Sequence, residues 1–133
     1  MTDPQPLVNI KREITDTIDN AITRITESLK TEGFGVLTRI DLHAKIKEKL
    51  GHDVAPTVIL GACNPTLAHE AYRANTDVAS LLPCNVVVRE VGEGRISIEC
   101  ALPSGLMRVL GDQALVTLAG QADGLISRAL EKA

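Results

Sequence analysis

Residues 85–102 constrain the fold of this chain more than any other stretch. Asn85–Val91 and Arg95–Leu102 are two runs rich in β-branched residues, joined by Gly92-Glu93-Gly94, whose glycines supply the positive dihedrals of a tight reversal. In the second run Ile96, Ile98 and Cys100 fall on one side, and Arg95, Ser97 and Glu99 on the other. An isolated hairpin is marginal in water, so this one must belong to a larger sheet whose apolar face is covered.

Two helical patterns supply the cover. Ile14, Ile18, Ala21, Ile22, Ile25 and Leu29 recur at spacings of three and four, with Thr15 or Asp16 as cap and Gly33 as terminator. From Asp112 a second helix carries Leu115, Leu118, Ala122, Leu125, Ala129 and Leu130 on one stripe. Between them, Phe34–Ile40 reads as a strand, and Asp41 caps a short helix to Leu50 that Gly51 stops. Thr57–Leu60 is a short buried strand. Asn64 and Pro65 open a helix reaching about Asn75, with Leu67, Ala68, Ala71 and Tyr72 turned inward.

Leu7–Arg12 is a short extended segment, 75–82 a connector, and Pro103-Ser104-Gly105 a strand breaker. Residues 1–6 hold two prolines and little apolar character and read as a mobile tail; 7–133 form a single domain. The expected fold class is α+β. It is two-layered, a mostly antiparallel sheet of about five strands, with two main helices on one face and short helices in the connections.

Composition narrows the partners. Apolar residues make up 44% of the 133, but Phe34 and Tyr72 are the only aromatics and there is no Trp. The core is therefore aliphatic, packed by shape rather than by stacked rings. Single-stranded nucleic acids need aromatic platforms, and a formal charge of −3 does not suit a phosphate backbone, so no nucleic-acid partner is expected. There is no run of about 18 apolar residues and the N-terminus lacks the pattern of a signal peptide, so no membrane partner is expected either. Three cysteines do not make a secreted disulfide framework, and a cytoplasmic location with reduced thiols is the expectation.

Four segments stand out together: Glu32-Gly33-Phe34-Gly35-Val36-Leu37, Arg39-Ile40-Asp41, Ile59-Leu60-Gly61-Ala62-Cys63-Asn64-Pro65, and Leu81-Leu82-Pro83-Cys84-Asn85-Val86-Val87-Val88. In order and spacing they resemble the domain of unknown function 302 family, found mainly in bacteria and archaea. The resemblance runs from about Leu7 to the last helix. It implies a small two-layer fold with a β-α-β4-α outline, similar to the TATA-binding-protein-like arrangement, and it is compatible with a homodimer. It supplies no activity. Family members often carry a His directly after the Asp matching Asp41; here Leu42 intervenes and His43 follows.

The residues with chemical potential cluster in the last two segments. Cys63 ends a strand and precedes a helix N-terminus, where backbone donors and the helix dipole favour a thiolate or a bound anion. Cys84 follows Pro83 at the start of another strand. If those strands are neighbours, the two thiols could form a reversible disulfide or ligate a soft metal. Their separation of about twenty residues matches no zinc signature. His43 and His69 are the histidines that folding could add to a mixed Cys/His metal site, although exposure on helices is the plainer reading.

Cys100, in step with Ile96 and Ile98, reads as core, and Lys45, Lys47 and Lys49 as a solvated helix face. Gly120 and Gly124 on the last helix read as local packing before a dimer seam. No Walker loop, Gly-x-Ser-x-Gly, His-Glu-x-x-His or dinucleotide fingerprint is present.

Three functions follow in order. The first is a homodimeric binding module with a small-anion or soft-metal site at Cys63-Asn64-Pro65 and Cys84. The second is a thiol-disulfide or sulfur-transfer enzyme using Cys63 and Cys84. The third is a structural or partner-docking dimer with inert buried cysteines. No cofactor is specified by any motif.

Overall fold

Strand β1 (Asn9–Thr15) alternates Ile10, Arg12 and Ile14 toward the core with Lys11 and Glu13 toward solvent, and it seeds one edge of the sheet. The structure, a computed structural model, describes residues 8–133; the tail expected over 1–6 and Leu7 lie outside the described residues. Helix α1 (Ile18–Thr31) follows, then β2 (Gly35–Asp41), α2 (Leu42–Leu50), β3 (Thr57–Cys63) and α3 (Pro65–Ala74). After a 3-10 turn over Thr76–Leu81 come β4 (Cys84–Gly92), β5 (Arg95–Ala101), the short α4 (Pro103–Met107) and the long α5 (Gln113–Lys132). The five strands lie in the order β1-β5-β4-β3-β2, and every adjacent pair is antiparallel. The α+β class and the sheet of five strands are as the patterns predict.

The registers sort the side chains into two faces. Val58, Leu60, Ala62, Val86, Val88, Ile96, Ile98 and Cys100 form the buried face. They pack against Ala21, Ile25 and Leu29 of α1 and Ala122, Ile126 and Ala129 of α5 in one cluster. Ser28 donates its hydroxyl to the Ala129 carbonyl, joining the two helices. Arg12 reaches from β1 to the C-terminal carbonyls of α5, donating to Leu130 at 3.0 Å, to Glu131, and to Ala133 at 2.9 Å. A guanidinium there satisfies carbonyls that the helix itself leaves free and opposes the negative end of its dipole.

The other face is laid out in lateral rows. One runs Lys11, Glu99, Val87, Ile59, Ile40 across all five strands, and the next Glu13, Ser97, Arg89, Thr57. Glu99 accepts from Arg89 and Ser97, with Lys11 at 3.7 Å.

Several boundaries differ from the sequence reading, each for a local reason. Ile14 belongs to β1, opposite Ile96, because its spacing of four from Ile10 and Ile18 is even and satisfies strand alternation as well as helical repeat. The cap of α1 is Thr17, which accepts from the Asn20 N–H at 3.2 Å, not Thr15 or Asp16. Asp16 is engaged otherwise, accepting from the Thr17 N–H at 2.7 Å and pairing with Arg24 at 3.0 Å; these hold its carboxyl below the usual range, Arg24 first. In the hairpin only Gly94 takes a positive φ, and Gly92 remains in the strand beside a register shift. Tyr72 is half exposed rather than inward: it lies one residue, about 100° of rotation, past Ala71, which packs on the second apolar cluster. Gly120 and Gly124 are not closely approached by another helix.

Candidate functional site

Strand β3 runs through Cys63, three residues beyond the expected Leu60, because Ala62 pairs with both Val36 and Cys84. Asn64 then leaves the strand with extended dihedrals, and its Oδ1 accepts the Leu67 N–H at 3.2 Å. Pro65 occupies the first helical turn, as predicted. This start leaves few donors for an anion. Pro65 has no N–H, Leu67 donates to Asn64 Oδ1, and Ala68 donates to the Asn64 carbonyl at 2.9 Å. Of the first turn, Thr66 alone keeps a free donor.

Strands β3 and β4 are neighbours, as the paired-cysteine reading requires. Their register, however, sets Ala62 rather than Cys63 opposite Cys84. The pleat therefore turns Cys84 toward the helices with Ala62, and sends Cys63 toward the other face with Gly61 and Ile59. All three cysteines are free thiols. Burial raises the Cys63 thiol above its ordinary pKa, opposite to the depression an attacking thiolate needs. Burial also pushes Cys84 up to about 11, with added contributions from Cys63 and Asp123, and Cys100 up to about 12, with a contribution from Cys84.

The histidines stay apart from this locus. His43 Nδ1 accepts from the Thr57 N–H at 3.0 Å and so ties α2 to the start of β3. His69 is exposed on α3. Among the described residues no group of three or more His, Cys, Asp or Glu side chains is placed to hold a metal ion.

Instead of a polar mouth, a cavity lies at this end of the domain. It opens where the main cluster meets a second one formed by Val78, Met107, Leu115 and Ala119. Its walls come from α3 (Leu67, Ala71), α4 (Met107), α5 (Leu115, Ala119) and Cys84, while Cys63 and Asn64 border it at the strand end. Its volume is about 50 Å³. One water needs roughly 10–15 Å³ on that measure, so the space suits a ligand of a few heavy atoms. Except for Asn64 and the two thiols, the lining is apolar.

Met107 and the α4 wall are not among the residues the sequence points to, because Pro103-Ser104-Gly105 reads there only as a strand breaker. Pro103 is in fact the first residue of α4, and Asp123 of α5 accepts from the Ser104 N–H at 3.0 Å and from its hydroxyl. Proline at a helix start followed by Leu106-Met107 was the available signal.

One antiparallel sheet with its main helices on a single face, and an apolar cavity where two core clusters meet, defines a small two-layer α+β domain with an internal pocket. The chain belongs to the family described as "Domain of unknown function DUF302", which matches residues 10–133. Among solved structures it is similar to an uncharacterized conserved DUF302 protein from Bacillus stearothermophilus. That likeness has 33% identity and a TM-score of 0.86, and covers 93% of this chain and 96% of the other. No curated protein matches the chain. No helix among the described residues is long and apolar enough to cross a membrane.

The thiol environments give a direct prediction. With a neutral alkylating reagent at mildly alkaline pH, Cys63 is expected to react first in the native protein, with Cys84 and Cys100 modified only on unfolding. Peptide mass spectrometry against time reads the order; equal native rates for all three would contradict these burial assignments.

Proposed function

We propose that the protein is a homodimeric binding module that takes a small, uncharged, largely apolar ligand in the cavity beside Cys84. The observation that carries this is the apolar cavity itself, at the end of the domain where Cys63, Asn64 and Cys84 converge. Burial of apolar surface would supply the affinity, and Asn64 with the thiols would supply the few polar contacts that orient a ligand. The ligand class differs from the small anion first expected, because the α3 N-terminus has spent most of its donors on its own cap. Three unpaired cysteines support a reducing cytoplasm as the compartment.

Benzene and xenon are suitable probes, followed through side-chain methyl resonances. Methyl signals of Leu67, Met107 and Leu115 should shift on titration, and Ala119→Leu, which fills the space, should abolish the shifts. Unchanged methyl signals in the wild type would remove the reading.

A second reading rests on Met107. Its thioether borders the same cavity as Cys84, a soft sulfur pair suited to a monovalent soft metal such as Cu(I). Binding would have to displace the proton that burial holds on Cys84, and would therefore strengthen with pH. Anaerobic Ag(I) titration tests it. Cys84→Ala and Met107→Leu should each weaken binding, and equal uptake by all three proteins would exclude this cavity as the site. The thiol-disulfide reading is the weakest, since raised thiol pKa values and opposed side-chain directions both count against it. Rapid selective alkylation of Cys63 with a depressed pKa would revive it.

A further inference from the structure

The cavity proposed above needs a way in, and we infer that a ligand enters it along the seam between α3 and α5, past the side chain of Leu67. The route rests on the cavity reading and adds to it the residue that controls access. Most of the cavity wall is closed to solvent: Ala62 of β3, Phe34, Met107 of α4 and Leu115 of α5 are all buried. The α3 side is different. This helix buries none of its 10 residues, and its share of the wall, Leu67, Ala68 and Ala71, is only partly covered. A passage there breaks no strand pairing and moves no fully buried side chain.

A groove lies directly outside. It runs between the start of α3 and α5, with a volume of about 510 Å³, and Asn64 and Leu67 border both it and the cavity. The α5 residues keep the same order: Leu118, Ala119 and Ala122 line the cavity, while Gln121, Leu125 and Arg128, displaced toward the C-terminal end, line the groove. The two spaces are thus successive hollows of one seam, divided at Asn64 and Leu67. Only one of these dividers is free to move. Asn64 Oδ1 accepts the Leu67 N–H at 3.2 Å, and its Nδ2 lies against Gly33, where a Cβ would come within 3.1 Å of it. The same bond pins the Leu67 backbone. The Leu67 side chain packs on the main cluster only in part, so a rotamer change, rather than displacement of a helix, opens the division. The groove sets no charge barrier against an uncharged ligand, because Arg128 is paired with Glu32 at 3.4 Å.

Exchange kinetics of benzene, followed by exchange spectroscopy at the Met107 and Leu115 methyl groups, test the route. Leu67→Ala should speed benzene dissociation by about 10-fold. Gln121→Trp, outside the cavity, should slow entry and exit alike by about 10-fold and leave the dissociation constant unchanged, a signature that a merely structural change would not give. Gln121 is exposed on α5, so this variant also covers the case in which Leu67→Ala fails to fold. Ser104→Ala, which removes the hydroxyl bond holding α4 to Asp123, should exchange at the wild-type rate. If benzene binds and both Leu67→Ala and Gln121→Trp exchange at the wild-type rate, or if Ser104→Ala alone accelerates exchange, the route is wrong while the cavity reading stands. A wild type that binds neither benzene nor xenon overturns the cavity reading and this route together.

Discussion

Gly61→Val should cost about 3 kcal/mol of folding stability, the upper part of the range for overpacking a closed site. Gly61 is buried within β3, between Thr38 of β2 and Asn85 of β4. A Cβ built there would overlap the Thr38 hydroxyl and lie 2.6 Å from Pro83 Cγ. Real Cβ atoms do not approach heavy atoms that closely. Thr38 can rotate aside, but the Pro83 ring is held by the residue that follows it, because Cys84 is already locked into the sheet opposite Ala62. The clash must therefore be relieved by moving β4 or opening the β2–β3 pair.

Alanine at the same position should cost less than valine, and Thr38→Ala should recover part of the loss, giving a favourable coupling between positions 61 and 38. Denaturant unfolding of the wild type, Gly61→Val, Gly61→Ala, Thr38→Ala and the Gly61→Val/Thr38→Ala double variant measures both effects. A loss under 1 kcal/mol for Gly61→Val would mean that Pro83 is free to shift, and that the start of β4 is not fixed by this contact.

This glycine also marks how far the sequence was legible. Periodicity located α1, α5 and the β4–β5 hairpin, because each carries its own apolar face with the right repeat. The parity of Ile96, Ile98 and Cys100 correctly identified the buried face of β5. Local chemistry also placed Asn64 and Pro65 at the start of α3. What failed were the places where two periods coincide. Ile14 satisfies both strand and helix, and only its pairing with Ile96 decides between them. The 3-10 turn over Thr76–Leu81 and the short α4 pack through Val78 and Met107 against Leu115 and Ala119 of α5, and their stability comes from that packing rather than from propensity, so they left little trace.

Of the candidate site, the strand-end segment stood out in the sequence, while its arrangement did not. Cys63, Asn64 and Cys84 do converge on one cavity. Whether two cysteines on adjacent strands face each other, however, depends on a register that one residue reverses. No feature of the sequence sets that register locally; it follows from Val86 and Val88 meeting Leu60 and Val58 in the core. The cavity itself is a property of two apolar clusters failing to close over one another. Such a gap depends on the relative positions of α3, α4 and α5, which no single segment encodes.

Ile126→Ala is the second large effect expected, at about 3–4 kcal/mol. The side chain is fully buried on α5, in the cluster that joins α1 to the buried face of the sheet. Truncation removes apolar contacts and leaves a hole in a core with few rings or long side chains to refill it: Phe34 is its one aromatic. The surrounding residues are held in place independently. Ser28 is bonded to the Ala129 carbonyl and Arg12 grips the end of the same helix, so α5 cannot slide inward to close the gap.

For a domain of this size the loss corresponds to a fall in Tm of about 10–15 °C. Leu118→Ala, on the same helix but only partly buried, should cost less than half as much. Calorimetry of the two variants compares them directly. Equal, small losses would mean that α5 readjusts as a rigid body, and that the Arg12 and Ser28 contacts do not anchor it.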